Sequence, residues 1–200
     1  MEDGKDAAVW RLFIAISMPD QVKDEIEKTQ RELRGAFPGN FMRWTKREQF
    51  HLTLKFLGNV AEARVAELAD VLRSACAPFN TMRLRAERVG FFPDMRYPRV
   101  AWVGVHDSQN ELARLQPAIE TAVNNFTSEK AEKRFIGHVT LARIQGIPRQ
   151  QAELLSKLAQ GMTNRFFGEW MADKVKLIRS ELSSGGARYT TLAEFSLSGP

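Results

Sequence analysis

The sequence predicts an α+β fold made of two similar halves around a shared cleft. Three observations lead there. Strand-like and helix-like patterns alternate along the 200 residues. The order strand, helix, strand, helix, strand occurs twice, offset by roughly 87–89 residues. And two His-x-Thr motifs, at His51 and His138, fall in the middle strand of each half, 87 residues apart. Such a duplication predicts packing about a pseudo-twofold axis, with the two motif strands facing each other.

In the first half, residues 10–17 read as a strand. Pro19 suits a first helical turn and Asp20 is favourable near a helix N-terminus. Val22, Ile26 and Leu33 share one face, Gly35 is a plausible stop, and residues 36–40 form a loop. Residues 49–57 alternate as a strand does and end at Gly58. Asn59 and Glu62 form an N-cap signature for a helix to about Cys76, with an apolar stripe of Val65, Leu68, Ala69, Leu72 and Ala75. Residues 81–92 are a strand and 93–98 a turn.

In the second half, residues 99–105 are a strand. Ser108 and Glu111 open a helix carrying Leu112, Leu115, Ile119, Ala122 and Phe126, which Pro117 is expected to kink or split. Residues 137–144 are a strand, and Pro148 opens a helix closing near Gly161. Residues 169–182 and 187–197 read as closing strands joined by 183–186.

Composition is that of an ordinary globular protein: 44% apolar and 26% charged. Residues 1–8 are polar or small and expected to be loose, leaving residues 9–200 as one bilobal domain. The net charge of +5, from 29 basic against 24 acidic residues, mildly favours anionic partners such as nucleotides or RNA. The single cysteine, Cys76, excludes an intramolecular disulfide and reads as a buried, inert thiol. The early apolar run of residues 12–16 is far too short to span a membrane, and a cytoplasmic location follows by default. No obligate protein partner is indicated.

The chain has three histidines, and two are followed at +2 by threonine: His51-Leu52-Thr53-Leu54 and His138-Val139-Thr140-Leu141. With 10 threonines in 200 residues, chance gives two such matches in about 1% of chains. Residues i and i+2 of a strand share a face, so each imidazole has a hydroxyl beside it while the aliphatic neighbours point into a core. One such motif alone fits a half-buried histidine on a sheet. Two at matching positions point to chemistry. A neutral imidazole can deprotonate an attacking water, and an imidazolium can protonate a departing alkoxide. Threonine hydroxyls can donate to phosphate oxygens as charge develops.

Rival chemistries are poorly supported. There is no His-x-His, no HExxH and no Cys/His cluster, so neither a metal nor another cofactor is expected. There is no G-x-S-x-G and no glycine-rich phosphate loop. His106 has no threonine at +2 and reads as a surface or capping residue.

At Phe50-His51-Leu52-Thr53-Leu54-Lys55-Phe56-Leu57-Gly58 and Gly137-His138-Val139-Thr140-Leu141-Ala142-Arg143 the sequence resembles the 2H phosphoesterase superfamily. More narrowly it resembles the RNA 2′,3′-cyclic phosphodiesterase group, historically called 2′-5′ RNA ligases. Residues 11–16, 99–105 and 177–182 carry further matching stretches. The resemblance implies a bilobal fold, each half an antiparallel sheet with outer helices, and both motifs lining a central cleft. It implies hydrolysis of RNA or oligonucleotide 2′,3′-cyclic phosphate ends to 2′-phosphomonoesters. It makes His51 the proton donor and His138 the acceptor, with Thr53 and Thr140 holding the phosphate. The residues themselves do not assign donor and acceptor. The family pattern also places Arg143 near the phosphate, whereas strict strand parity puts it opposite His138, unless the strand ends or bulges after Leu141. Phe56 occupies the corresponding place in the first motif. Trp44 and Phe50 are candidates for base stacking or for the core, and Arg43, Lys46 and Arg47 for steering RNA. Residues 93–98 are a candidate lid. Two alternatives stay open: reversible 2′-5′ RNA ligation at the same site, and a non-catalytic RNA-binding module.

Overall fold

The computed structural model describes residues 8–37, 40–130, 134–183 and 186–199. Among them are nine strands and four helices. In chain order these are β1 (Val9–Ile16), α1 (Asp20–Ala36), β2 (Met42–Trp44), β3 (Leu52–Ala61), α2 (Val65–Cys76), β4 (Met82–Phe92), β5 (Val100–His106), α3 (Glu111–Ala122), β6 (His138–Ile144), α4 (Arg149–Gln160), β7 (Phe166–Ala172), β8 (Lys174–Ser183) and β9 (Gly186–Ser196).

The strands form two antiparallel sheets, ordered β3-β1-β8-β9 and β2-β6-β5-β4-β7. Set side by side, the orders show the duplication and an exchange within it. The β3-β1 pair of one sheet matches the β6-β5 pair of the other. The strand next to each matched pair is borrowed: β4, from the first half, pairs with β5, and β8, from the end of the chain, pairs with β1.

The central strands are buried on both faces. In β1, Leu12, Ile14 and Ile16 enter the main core, while Phe13 and Ala15 form a small separate cluster with Ile178 and Tyr189. In β5, Ala101, Val103 and Val105 enter the main core and Trp102 points the other way. Helices cover the core faces. The stripe on α1 buries Val22, Ile26 and Leu33, each worth about 1.5–3 kcal/mol. The helices cross over: α1 packs against β7 of the second sheet, and α3 against β3 of the first. No helix among the described residues is long and apolar enough to cross a membrane.

Several boundaries differ from the sequence reading. Asn59 does not cap a helix. β3 runs on to Ala61, and Gly58, at φ +67°, sits inside it. The N–H of Glu62 donates instead to the Ala8 carbonyl at 2.8 Å, so Ala8 is tied down, while residues 1–7 lie outside the described residues. Residues 169–182 are not one strand: the chain leaves the second sheet after Ala172 and enters the first at Lys174. Asp107, not Ser108, caps α3, its carboxylate accepting the N–H groups of Gln109, Glu111 and Leu112. Pro117 does not split that helix. It lies with Ala113 on the exposed face, where water can take the carbonyl that proline leaves unpaired. Phe126 belongs to a separate short turn after α3.

Candidate active site

Each motif histidine stands at the start of its strand. His51 immediately precedes β3, and His138 is the first residue of β6. The entry to β6 is tight. A Cβ on Gly137 would lie 2.3 Å from the Val105 carbonyl oxygen, so a glycine is needed there, and the Val105 N–H donates to the Gly137 carbonyl at 2.8 Å. His138 Nδ1 lies 2.7 Å from the Ile136 carbonyl oxygen. A carbonyl only accepts, so Nδ1 carries the proton and Nε2 is left for chemistry. His51 likewise bonds the backbone two residues upstream, at Gln49.

The two motif strands approach each other across a cleft of about 530 Å³. His51, Thr53, His138, Thr140 and Arg143 all line it. The sequence reading of these five as one site therefore coincides with a single cavity. Arg43, Trp44 and Lys46 also line it. Arg47 does not: its guanidinium turns away to the Asp24 carboxylate at 2.7 Å. Phe50 is core, and residues 93–98 are not among the lining residues. His106 is at the surface beside Glu87, at 3.5 Å. Cys76 is buried in the core, and burial pushes its thiol up to about 12.

Arg143 reaches the cleft because β6 bulges. Ala142 pairs with Ala101 and Thr140 with Trp102, which leaves Leu141 unpaired in the ladder. The extra residue shifts the alternation by one, so His138, Thr140 and Arg143 share the cleft face while Leu141 and Ala142 are both buried. β3 bulges at the equivalent place: Lys55 pairs with Ile14 and Thr53 with Ala15, skipping Leu54. Phe56 thereby lines the cleft opposite in kind to Arg143.

Side chains missed in the sequence complete the walls: Arg11 and Phe13 of β1, Ser180 and Leu182 of β8, and Tyr189 of β9. Phe13 stacks on the His51 ring at 4.8 Å, and Tyr189 meets it edge-on at 5.4 Å. Phe92 meets the His138 ring edge-on at 5.0 Å. Gln49 fixes the approach to the first motif, its amide donating to the Ala187 carbonyl at 2.6 Å.

The electrostatics suit an anion. Arg11, Arg43, Lys46 and Arg143 line the cleft, and no described lining residue is acidic. Burial lowers the His51 imidazole to about 4. The Gln49 backbone bond opposes that shift, and positive charge at His138 and Lys23 adds to it. Burial raises the Tyr189 phenol, against Arg143 and Arg11, so it stays protonated and able to donate.

The family model LigT like Phosphoesterase matches this chain twice, over residues 16–102 and 103–189. The chain belongs to the LigT-like phosphoesterases. The two matches each contain one His-x-Thr motif, in keeping with the duplicated sheets. Among relatives of this LigT-like phosphoesterase, the RNA 2′,3′-cyclic phosphodiesterase of Aquifex aeolicus is 32% identical over 96% of this chain and 99% of its own. That of Aeropyrum pernix is 35% identical over 80% of this chain and 88% of its own. The crystal structure of TT0787 of Thermus thermophilus is similar at a TM-score of 0.76 and 29% identity, covering 94% of this chain and 98% of that one.

Proposed function

We propose that this LigT-like phosphoesterase hydrolyses 2′,3′-cyclic phosphate ends of RNA to 2′-phosphomonoesters, by metal-independent acid/base catalysis between two histidines. The observation that carries the proposal is the convergence of both His-x-Thr pairs and Arg143 on one cleft whose described lining holds no carboxylate. Two imidazoles without a third histidine, cysteine or carboxylate beside them are a poor donor set for zinc. They are a sufficient set for moving two protons. The names of the relatives support the substrate.

In this scheme water attacks phosphorus in line with the P–O3′ bond. His138 Nε2 takes the water proton, the P–O3′ bond breaks, and His51 protonates the departing O3′. Thr53, Thr140 and Arg143 hold the non-bridging oxygens as their charge grows. The roles of the histidines follow the family resemblance. The Nδ1–H of His138, committed to Ile136, leaves Nε2 to take that proton, and His51 is held at Gln49 in the same way.

One observation favours the exchanged assignment: with a pKa of about 4, His51 is neutral in the empty cleft at pH 7. As donor, His51 must gain its proton as the anionic substrate enters, since a nearby negative charge favours imidazolium. The test of function is incubation with an RNA oligonucleotide ending in a 2′,3′-cyclic phosphate. A 2′-phosphomonoester product supports the proposal; a 3′-phosphomonoester or unchanged substrate contradicts it.

A further inference from the structure

Four polar side chains are buried among the described residues: Thr29, Gln30, Lys55 and Gln116. A buried polar group must find partners or destabilise the fold. Gln30 and Gln116 find theirs at the two bulges. Gln30, on α1, donates through Nε2 to the carbonyl of Leu141 at 2.7 Å and to that of Thr45 at 2.8 Å. The Thr45 N–H also donates to the Leu141 carbonyl, at 2.9 Å. Gln116, on α3, donates through Nε2 to the carbonyl of Leu54 at 3.3 Å. Beside it, Glu120 accepts from Lys55 Nζ at 2.6 Å.

The arrangement repeats with the fold, and it is crossed. Leu54 and Leu141 are skipped at equivalent places in the two strand ladders, and the β1–β3 ladder skips Leu57 as well. The glutamine serving each bulge comes from the helix of the other half. A bulge is only as well placed as the partners of its unpaired groups. Without the bulge, strict alternation returns Arg143 to the face opposite His138. Gln30 also ties the β6 bulge to Thr45, whose neighbours Trp44 and Lys46 line the cleft.

We propose that Gln30 is a positioning residue. By fixing the Leu141 bulge it holds Arg143 on the cleft face, and Gln116 does the same for the Leu54 bulge and Phe56. The inference rests on the phosphodiesterase reading for its kinetic readout, and on phosphate recognition alone for its binding readout.

The test is a double-mutant cycle of Gln30→Met with Arg143→Ala. Its readouts are kcat/KM on an oligonucleotide 2′,3′-cyclic phosphate, the Kd of 2′-AMP by calorimetry, and thermal melting. A displaced contact costs about tenfold to a hundredfold in kcat/KM, so Gln30→Met should lose that much in the wild-type background. In the Arg143→Ala background the same change should cost less than about twofold, because the residue it positions is gone. Gln116→Met should multiply with Arg143→Ala, since it serves the other bulge. Gln30→Leu replaces Gln30→Met if the latter does not fold. Full multiplication of the Gln30 and Arg143 losses, or wild-type kinetics in the folded Gln30 variant, overturns the proposal. Coupling in 2′-AMP binding without turnover by the wild type would sink the phosphodiesterase reading and leave the positioning role standing. No coupling in either readout overturns the positioning role.

Discussion

The phenol ring of Tyr189 meets the imidazole of His51 edge-on, with ring centroids 5.4 Å apart and planes at 77°. Phe13 covers a face of the same imidazole at 4.8 Å. Together they cover the first-motif histidine on two sides, and burial lowers its pKa to about 4. Phe13 is core, but Tyr189 is only half-buried and can be removed at modest cost. In Tyr189→Ala, water reaches the ring, and the His51 pKa should climb from about 4 toward its ordinary value near 6.5. Imidazole resonances followed by NMR through a pH titration measure it. An unchanged midpoint would mean that enclosure by Tyr189 does not set this pKa.

The same shift makes stability depend on pH. His51 binds a proton near pH 6.5 when unfolded and at about 4 when folded. Between those values the unfolded chain holds more protons, so stability falls as pH drops through the window and is complete above it. Thermal melting should show a decline from pH 6.5 to 4 that is smaller in His51→Gln. Equal declines in the two proteins would show that other groups carry the acid sensitivity.

Donor and acceptor can be separated chemically. If His51 protonates the leaving oxygen, a substrate whose leaving group needs no proton should bypass it. A nitrophenyl phosphodiester should therefore restore most of the rate lost in His51→Ala and little of that lost in His138→Ala. Rescue confined to His138→Ala would exchange the two roles, as the low pKa of His51 allows.

The threonine hydroxyls are expected to act late, on charge that builds during reaction. Thr53→Val and Thr140→Val keep the shape and remove a donor. Each should lower kcat by about tenfold to a thousandfold, by analogy with the loss of one oxyanion donor, with little change in KM. A change in KM alone would assign them to ground-state binding instead.

Much of the site was legible because its residues sit where strand alternation is regular. His51 and Thr53, like His138 and Thr140, lie on the histidine side of each bulge, so the two-residue period holds between them. It fails one residue later. Leu54-Lys55 and Leu141-Ala142 turn inward together, and neither pair announces a bulge, since Lys55 reads as solvent-facing and Ala142 as neutral. The helices did carry a signal. Thr29 and Gln30 interrupt the stripe of Val22, Ile26 and Leu33 at a buried position, and Gln116 does so between Leu112 and Ile119. A polar residue on an apolar stripe marks a partner in the core. Strand exchange was not legible, because the pairing of β4 with β5 and of β8 with β1 is decided by contacts distant in sequence. β2, at three residues, is too short for periodicity to reveal. Tyr189 sits on a half-exposed strand and Arg11 at the exposed start of β1, where pattern alone does not say which face meets the cleft.

The most direct test of the central claim is turnover of an RNA oligonucleotide ending in a 2′,3′-cyclic phosphate, measured in EDTA for the wild type, His51→Ala and His138→Ala. The two-histidine account predicts that the wild type keeps its rate in EDTA and that each variant loses at least about a hundredfold. Loss of wild-type turnover in EDTA, or full activity in either folded variant, would contradict it.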